Sequence, residues 1–251
     1  MTAAATGRCV RLTTIAAVVA LISTATVAVA QDISINFGQG SGLTERVIQL
    51  VALLTVLSLA PSILVMVTSF TRIVVVLSLL RTALGTGTAP PNAVIVSLAL
   101  FLTAFVMGPA FQRAYDTGLR PLMNSEITPE QAFERSTEPF RAFMLKNVRE
   151  KDLQLFNNMA REPAPETPEQ ISLRILVPAF MISELKRAFE IGFLLFLPFL
   201  IIDLVIASIL MSMGMMMLPP IVVSLPFKLI FFVLVDGWSL VAGSLVQSYG
   251  I

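Results

Sequence analysis

Four long apolar runs constrain this chain more than any other feature of its sequence. The first, residues 47–80, is too long for one membrane-crossing helix and short for two, because a crossing takes about 20 residues. The other three are separated by more polar segments and cover residues 93–107, 188–210 and 221–235. Hydrophobic residues make up 56% of the chain and charged residues only 13%, whereas a soluble domain carries roughly 25% charged residues. The sequence therefore predicts an integral membrane protein or a membrane-derived assembly protein.

The composition also excludes several kinds of chemistry. The chain has no histidine, and its only cysteine is Cys9, which lies in a segment predicted to be removed. Metal ligation, disulfides and thiol catalysis are therefore not expected in the mature chain. The sequence contains no nucleophile elbow, no phosphate-binding glycine loop and no zinc-protease motif. Because these motifs are missing, we expect no enzyme, no cofactor and no metal site. The net charge of +1 gives no reason to expect a nucleic-acid partner.

The first 30 residues have the features of a cleavable secretory signal. Arg8 and Arg11 precede an apolar stretch, residues 12–29, and the segment ends in AVA at Ala30. A basic start, an apolar middle and a small-residue end are typical of such signals. We predict cleavage after Ala30, which would place the mature N-terminus outside the cytoplasm. The alternative is a first transmembrane helix that is retained.

Composition divides the mature chain into four segments. A polar lead covers residues 31–46, and a first hydrophobic hairpin covers 47–109. Most of the charged residues lie in a predicted external, periplasmic-side helical domain, 110–186. A second hydrophobic hairpin, 187–251, carries a methionine-rich turn and a C-terminal tail. Counted from an external N-terminus, the two hairpins predict four membrane crossings.

The predicted fold class is all-α. Pro61 and Pro198 each fall inside an apolar arm, where a proline removes a backbone hydrogen bond and kinks a helix. In the charged segment, Thr128 followed by Pro129 and Gln131 is typical of a helix start. We therefore expect membrane-associated, kinked helical hairpins with an amphipathic helical domain outside the lipid.

Four charged residues lie in or beside the apolar runs: Arg72, Asp203, Lys228 and Asp236. Charges in lipid are costly, so they usually face other protein or water. Asp203 and Lys228 are equally distant along the chain from the centre of the methionine turn, so a symmetric hairpin brings them to the same depth. They predict a structural ion pair, with an ion or proton pathway as the alternative. Arg72 is either a loop end at the membrane surface or a functional charge, and no role is predicted for Asp236.

The turn between the last two apolar runs, MSMGMMMLPP at residues 211–220, holds five methionines in its first seven residues. Methionine is flexible and fills irregular gaps, so the residues alone favour packing in a membrane scaffold. An ion channel or proton-coupled transporter that uses Asp203 and Lys228 is a second hypothesis. Ion filters are built from carbonyls or rings of charge, and methionine side chains supply neither.

Three long stretches of the sequence resemble one known family, with a looser fit between residues 123 and 169. They contain LSLAPSILVMVTSFTRIVVV, PAFMISELKRAFEIGFLLF and LPFKLIFFVLVDGW. In these stretches the chain is similar to the FliP family of flagellar biosynthetic proteins, whose counterparts serve in virulence type III secretion. A cleaved signal peptide is also a feature of the flagellar members.

The resemblance implies a core pore-forming subunit of the flagellar type III export gate, in the bacterial inner membrane at the flagellar basal body. In that family about five copies of the chain form a homo-oligomer, which assembles with FliQ and FliR into a cone-like pore. FliO assists the assembly, and FlhA and FlhB supply the unfolded export substrates. The family's hairpins are lifted largely above the bilayer plane, so the four crossings describe hydropathy only.

The resemblance also implies roles for individual residues. Met215, Met216 and Met217 correspond to a methionine-rich constriction that acts as a gasket in the channel. Phe143, Phe156 and Glu184 correspond to positions that take part in subunit contacts or assembly. These two groups, with the Asp203–Lys228 pair, are the predicted functional residues.

Overall fold

The structure is a computed structural model that describes residues 43–160, 170–215 and 217–250. Every regular element among these residues is helical, so the predicted all-α class is confirmed for the described part of the chain. The predicted signal peptide with Ala30 lies outside the described residues, and so does Met216.

The chain divides into two compact units, residues 1–54 and 55–251. Most of the described residues lie in helices. In chain order the helices are α1 (Leu43–Val67), α2 (Phe70–Leu84), α3 (Asn92–Ala114), a π-helical turn (Tyr115–Leu119), α4 (Arg120–Met123), α5 (Pro129–Asn147), α6 (Glu150–Ala160), α7 (Leu173–Ser212), α8 (Pro220–Leu234) and α9 (Gly237–Gln247).

The first apolar run is divided at Thr68 and Ser69, between α1 and α2. The hydroxyl oxygen of Thr68 accepts a hydrogen bond from the backbone N–H of Phe70 at 3.4 Å, and bonds of this kind compete with helical backbone pairing. The sequence predicted interruptions both at Pro61 and in the segment TSFTR. Only the second is a break, because α1 continues through Pro61 and a proline in an apolar helix removes one backbone bond without ending it.

Two predicted domain limits fall inside continuous helices. α3 runs past residue 109 to Ala114 and leads directly into the π-helical turn, and α7 passes residue 186 without interruption. α1 likewise begins at Leu43, inside the predicted polar lead. Hydropathy reports what a helix faces, whereas the end of a helix depends on its backbone bonds. The segment 110–186 is therefore a region of different composition whose limits are not helix ends.

The core lies where α2 packs against α7, α3 and α8. Most of the buried side chains of α2 are aliphatic and recur at helical spacing, including Ile73, Val76 and Leu80. Gly192 allows α7 to approach closely, since a Cβ there would lie only 2.3 Å from Leu79 Cδ1. Each fully buried aliphatic side chain contributes about 1.5–3 kcal/mol, so α2 is the central element of this unit.

A second, smaller core joins α5 to α7. Met144, Leu176 and Phe180 are buried there, and Phe143 packs beside them. α5 begins with a capping box, in which the Thr128 hydroxyl accepts from the backbone N–H of Gln131 and the Gln131 side chain accepts from the backbone N–H of Thr128, both at 3.4 Å. The helix start predicted from the sequence is where the structure places it.

Replacing Thr128 with alanine is expected to destabilise the chain by about 1 kcal/mol, because the first turn of α5 loses its side-chain cap. Thermal unfolding of the detergent-solubilised protein, followed by circular dichroism, should show a decrease in Tm of roughly 2–4 °C. Thr88→Ala is the matched control, since Thr88 is exposed in the loop between α2 and α3. Equal melting of the two variants would contradict a capping role.

Three of the described helical segments are long and apolar enough to cross a membrane. They are Leu50–Val67, Asn92–Met123 and Leu173–Ser212. α8 and α9 form a fourth candidate if they are taken as one span, although they are bent by 63° at the junction. Asp236 occupies that junction with a left-handed backbone, φ +50°. The described residues thus offer three or four crossings, and the predicted four correspond to the larger number.

Candidate functional site

Arg72 on α2 and Glu184 on α7 form an ion pair in the core, with side chains 1% and 0% exposed. Arg72 Nε donates to Glu184 Oε2 at 2.9 Å, and Arg72 Nη2 donates to Glu184 Oε1. This fork-to-fork geometry is the strongest form of a carboxylate–guanidinium contact. The interpretation of Arg72 as a loop end at the membrane surface is therefore wrong, because α2 packs this face against α7.

The residues that follow α9 cover the Arg72–Glu184 pair. Arg72 Nη1 donates to the Ser248 hydroxyl oxygen at 2.9 Å, and the guanidinium carbon lies 3.9 Å from the centre of the Tyr249 ring. The Tyr249 hydroxyl donates to Glu184 Oε2 at 2.6 Å. Burial raises the pKa of this hydroxyl, and the charge of Glu184 raises it further. Tyr249 therefore keeps its proton and remains a donor.

The predicted assembly residues occupy different surroundings. The Phe143 ring stacks on Tyr249 with centroids 5.7 Å apart, and it meets Phe180 edge to face at 5.9 Å. Glu184 contacts the same tyrosine from α7. Phe156 lies half-buried on α6. The structure thus brings Phe143 and Glu184 to one shared neighbour and leaves Phe156 on a separate helix.

A polar cluster ties α6 to α7 beside Glu184. Arg149 donates to both oxygens of Asp152 at 2.8 and 2.9 Å. The backbone N–H of Arg149 donates to the Ser183 hydroxyl oxygen at 3.0 Å, and that hydroxyl donates to Asp152 Oδ2 at 2.5 Å. Ser183 is fully buried and Asp152 nearly so. Every charge in this cluster is engaged, so it fixes the angle between the two helices.

Asp203 and Lys228 meet across the second hairpin, as their positions about the methionine turn predict. Lys228 Nζ on α8 lies 2.7 Å from Asp203 Oδ2 on α7. The same ammonium donates to the Ala83 carbonyl at 3.1 Å, and Asp203 Oδ1 accepts from the Ser224 hydroxyl at 2.5 Å. Since Ala83 lies in the last turn of α2, the negative end of that helix also attracts the lysine. The pair thereby joins three helices.

The methionine turn lies between the end of α7 and the start of α8. Its described methionines, Met211, Met213, Met215 and Met217, are exposed, and Met217 is 99% exposed. Gly214 adopts φ +73°, a conformation that a glycine enters without strain. α8 then begins at Pro220, the favoured first position for a proline. The turn therefore presents flexible apolar side chains away from the hairpin.

Comparison with known proteins places this architecture in a family. The FliP family model matches residues 53–245. Flagellar biosynthetic protein FliP from Caulobacter vibrioides is 60% identical over 238 residues, which cover 95% of this chain and 90% of that protein. The protein of the same name from Bacillus subtilis is 55% identical over 202 residues, covering 80% of this chain and 91% of that protein.

The chain belongs to the FliP family.

Membership in the FliP family confirms the prediction that the chain is not an enzyme. The family consists of structural components of flagellar export and not of enzymes. In the part of the chain that the structure describes, no group of three or more acidic, histidine or cysteine side chains is placed to hold a metal ion. The apolar helices are those of a membrane protein.

Sequence reasoning did not find Tyr249, Ser248 or the partner of Arg72. Arg72 and Glu184 are 112 residues apart along the chain, and Tyr249 is 65 residues from Glu184. No local spacing connects such positions. The one available signal was a polar residue on an otherwise apolar helix face, which applies to both Arg72 on α2 and Glu184 on α7.

Proposed function

We propose that this chain is a core pore-forming subunit of the flagellar type III export gate, which passes unfolded flagellar proteins across the bacterial inner membrane. The family membership supports a role in flagellar export, and the relatives' name, flagellar biosynthetic protein, favours the flagellum over virulence secretion. In this role the chain works at the flagellar basal body as a homo-oligomer with FliQ and FliR. FliO assists assembly, and FlhA and FlhB deliver substrates.

The observation that carries the proposal is the exposed methionine turn. Several thioether side chains lie exposed at this tip, with no charged residue among them. Exposed apolar patches of this kind mark binding or lining surfaces. Methionine has three rotatable side-chain bonds and a polarizable sulfur, so it packs against objects of different shape. Turns from several subunits can therefore close an idle channel and give way to a passing polypeptide.

The arms that hold the turn support this use. Asp203, Ser224 and Lys228 fasten α7 to α8, and Lys228 also binds α2. Side chains along both arms remain exposed, among them Leu204 on α7 and Val222 and Leu234 on α8. Lipid or neighbouring subunits must cover such a surface in the membrane. A fastened hairpin with an apolar exterior suits a subunit that is packed among others around a channel.

The ion channel or transporter hypothesis has less support from the geometry. A pathway for ions needs charges that can exchange their partners, whereas Asp203 and Lys228 bind each other and are held by Ser224 and Ala83. Their mutual contact explains both charges as structural. We therefore interpret the pair as a contact that holds the two arms of the hairpin together.

Replacing Met215, Met216 and Met217 together with alanine tests the gasket. We expect the conductance of the membrane for small ions to rise several-fold in cells that assemble the variant gate, while flagellar protein secretion is largely retained. The reason is that alanine removes most of the apolar volume of the turn but leaves its backbone intact. Ion leakage is followed by the rate of membrane depolarisation, and by growth inhibition, in medium of defined salt concentration.

The matched control replaces Met123 and Met159 with alanine, since both are exposed methionines outside the turn. This control should leave the membrane as tight as in the parent strain. Unchanged ion conductance in the triple variant, with normal assembly, would contradict the gasket. A strain that lacks this gene should not secrete flagellar proteins, and it serves as the reference for complete loss of secretion.

A further inference from the structure

We propose that Tyr249 is a positioning residue for assembly, which locks Phe143 and Glu184 into one unit when the C-terminal segment, residues 245–250, is docked. This inference rests on the proposed function, because the family resemblance behind that function also implies that Phe143 and Glu184 take part in subunit contacts or assembly. It adds that neither residue is in its competent position until Tyr249 is in place. Nothing in the sequence resemblance assigns a role to Tyr249.

Tyr249 contacts both residues with different parts of its side chain. Its hydroxyl donates to Glu184 on α7 at 2.6 Å, and its ring stacks on Phe143 of α5 with a centroid distance of 5.7 Å. One turn further along α5, Lys146 Nζ lies 3.5 Å from the Tyr249 carbonyl oxygen. Tyr249 is itself only 3% exposed. A single side chain therefore sets the distance between α5 and the buried carboxylate on α7.

Docking of the segment is coupled to the burial of Arg72. A guanidinium group has five N–H donors, and Glu184 receives two of them. Ser248 receives the donor on Arg72 Nη1, and the Tyr249 ring covers the face of the group. If the segment leaves, Nη1 loses its acceptor in a buried site, which is unfavourable unless water enters. The chain therefore has two alternative states. In one the segment is docked and water is excluded from the ion pair, and in the other the segment is undocked and water reaches the pair.

The coupling gives the segment control over the assembly face. In the undocked state Phe143 loses the ring on which it stacks, and Glu184 loses one of its hydrogen-bond donors. Leu245, which is 1% exposed within the main core, is drawn out with the segment. Only the docked chain presents α5 and α7 in the arrangement that other subunits meet.

Two substitutions separate the functions of the ring and the hydroxyl. Tyr249→Phe removes the bond to Glu184 but keeps the stacking on Phe143 and the contact with Arg72. Tyr249→Leu removes all three. Tyr115 is the only other tyrosine of the chain and is exposed, so Tyr115→Phe is the matched control. Leu245→Cys reports undocking, in a background in which the only native cysteine is removed by Cys9→Ser.

The first measurement is the rate at which a membrane-permeant maleimide labels Leu245→Cys in the full-length protein in membranes. Loss of a hydrogen bond to a charged acceptor should raise the undocked population, and hence the labelling rate, about tenfold or more in Tyr249→Phe. Tyr249→Leu should be labelled faster still, and Tyr115→Phe at the rate of the parent. An unchanged rate in Tyr249→Leu would overturn the docking role.

The second measurement is the fraction of the chain in the high-molecular-weight complex on native gels, relative to its amount in the membrane. We expect this fraction to fall several-fold in Tyr249→Phe and to be lost in Tyr249→Leu. Normal assembly despite fast labelling would overturn the positioning role. Phe143→Ala and Glu184→Gln are measured in parallel. If both assemble normally, the assembly roles that the family resemblance implies for Phe143 and Glu184 fail, an outcome that the Tyr249 variants cannot mimic.

Discussion

Arg72→Met is expected to destabilise the chain by about 3–5 kcal/mol, the usual cost of removing one partner from a buried ion pair. The methionine fills much of the volume of arginine, so the main loss is electrostatic. Glu184 would keep the Tyr249 hydroxyl but lose two charge-assisted bonds in a site that is 0% exposed. In detergent, the Tm should fall by at least ~6 °C.

A second substitution identifies the cause. Replacing both partners, Arg72→Met with Glu184→Gln, should recover part of the lost stability, because an uncompensated buried charge costs more than a neutral pair. The matched control is Lys186→Met on α7, the helix that carries Glu184; its partner Glu190 lies 3.6 Å away in an exposed pair. Exposed pairs contribute roughly 0–1 kcal/mol. If Arg72→Met melts no lower than Lys186→Met, the buried pair does not stabilise the fold.

Asp203→Asn is expected to be more damaging than Lys228→Met, although both break the same ion pair. Without Asp203, the 4% exposed Lys228 ammonium has neutral acceptors but no counter-ion. Without Lys228, the 24% exposed Asp203 keeps the Ser224 hydroxyl. Burial makes the unpaired ammonium the more costly group. We expect a loss of about 2–4 kcal/mol for Asp203→Asn and roughly half of that for Lys228→Met.

Thermal melting and the yield of assembled complex measure both effects, with Asp236→Asn as the control at an exposed acid in the neighbouring junction.

The structure also predicts the result of exchanging the two charges. An aspartate at position 228 would face the Ala83 carbonyl, so the exchange should restore stability only in part. The double variant Asp203→Ala with Lys228→Met should recover more. Equal stability of Asp203→Asn and the parent would contradict the role of the pair as a fastener.

The sequence predicted those features that depend on neighbours along the chain. The capping box at Thr128 and Gln131 is local, and so it could be recognised from residue types and spacing. The Asp203–Lys228 contact joins distant residues, but a single turn relates them by symmetry, and so depth could be counted from Met215 and Met216. The apolar arms could be predicted from hydropathy, because positions that face lipid and positions that face a protein core both favour apolar side chains.

Other features depend on packing that no local pattern contains. The site around Arg72 joins α2, α7 and the residues after α9, and no turn relates these three segments. The break in the first apolar run falls at Thr68 and Ser69, where the Thr68 hydroxyl accepts from the backbone N–H of Phe70, whereas α1 continues through Pro61. Composition changes at residue 186, yet α7 continues, since a helix can leave an apolar environment without ending.

The continuity of α7 has a mechanical consequence. A helix of 40 residues is about 60 Å long at 1.5 Å per residue, which is twice the thickness of the hydrocarbon core of a bilayer, about 30 Å. Glu184 lies about a third of the way along this helix and Met211 in its last turn. A tilt of this helix moves both ends in opposite directions, and Pro178 and Pro198 are the positions where it can bend. In the proposed function, force from a polypeptide in transit at one end would be transmitted along α7 to the other.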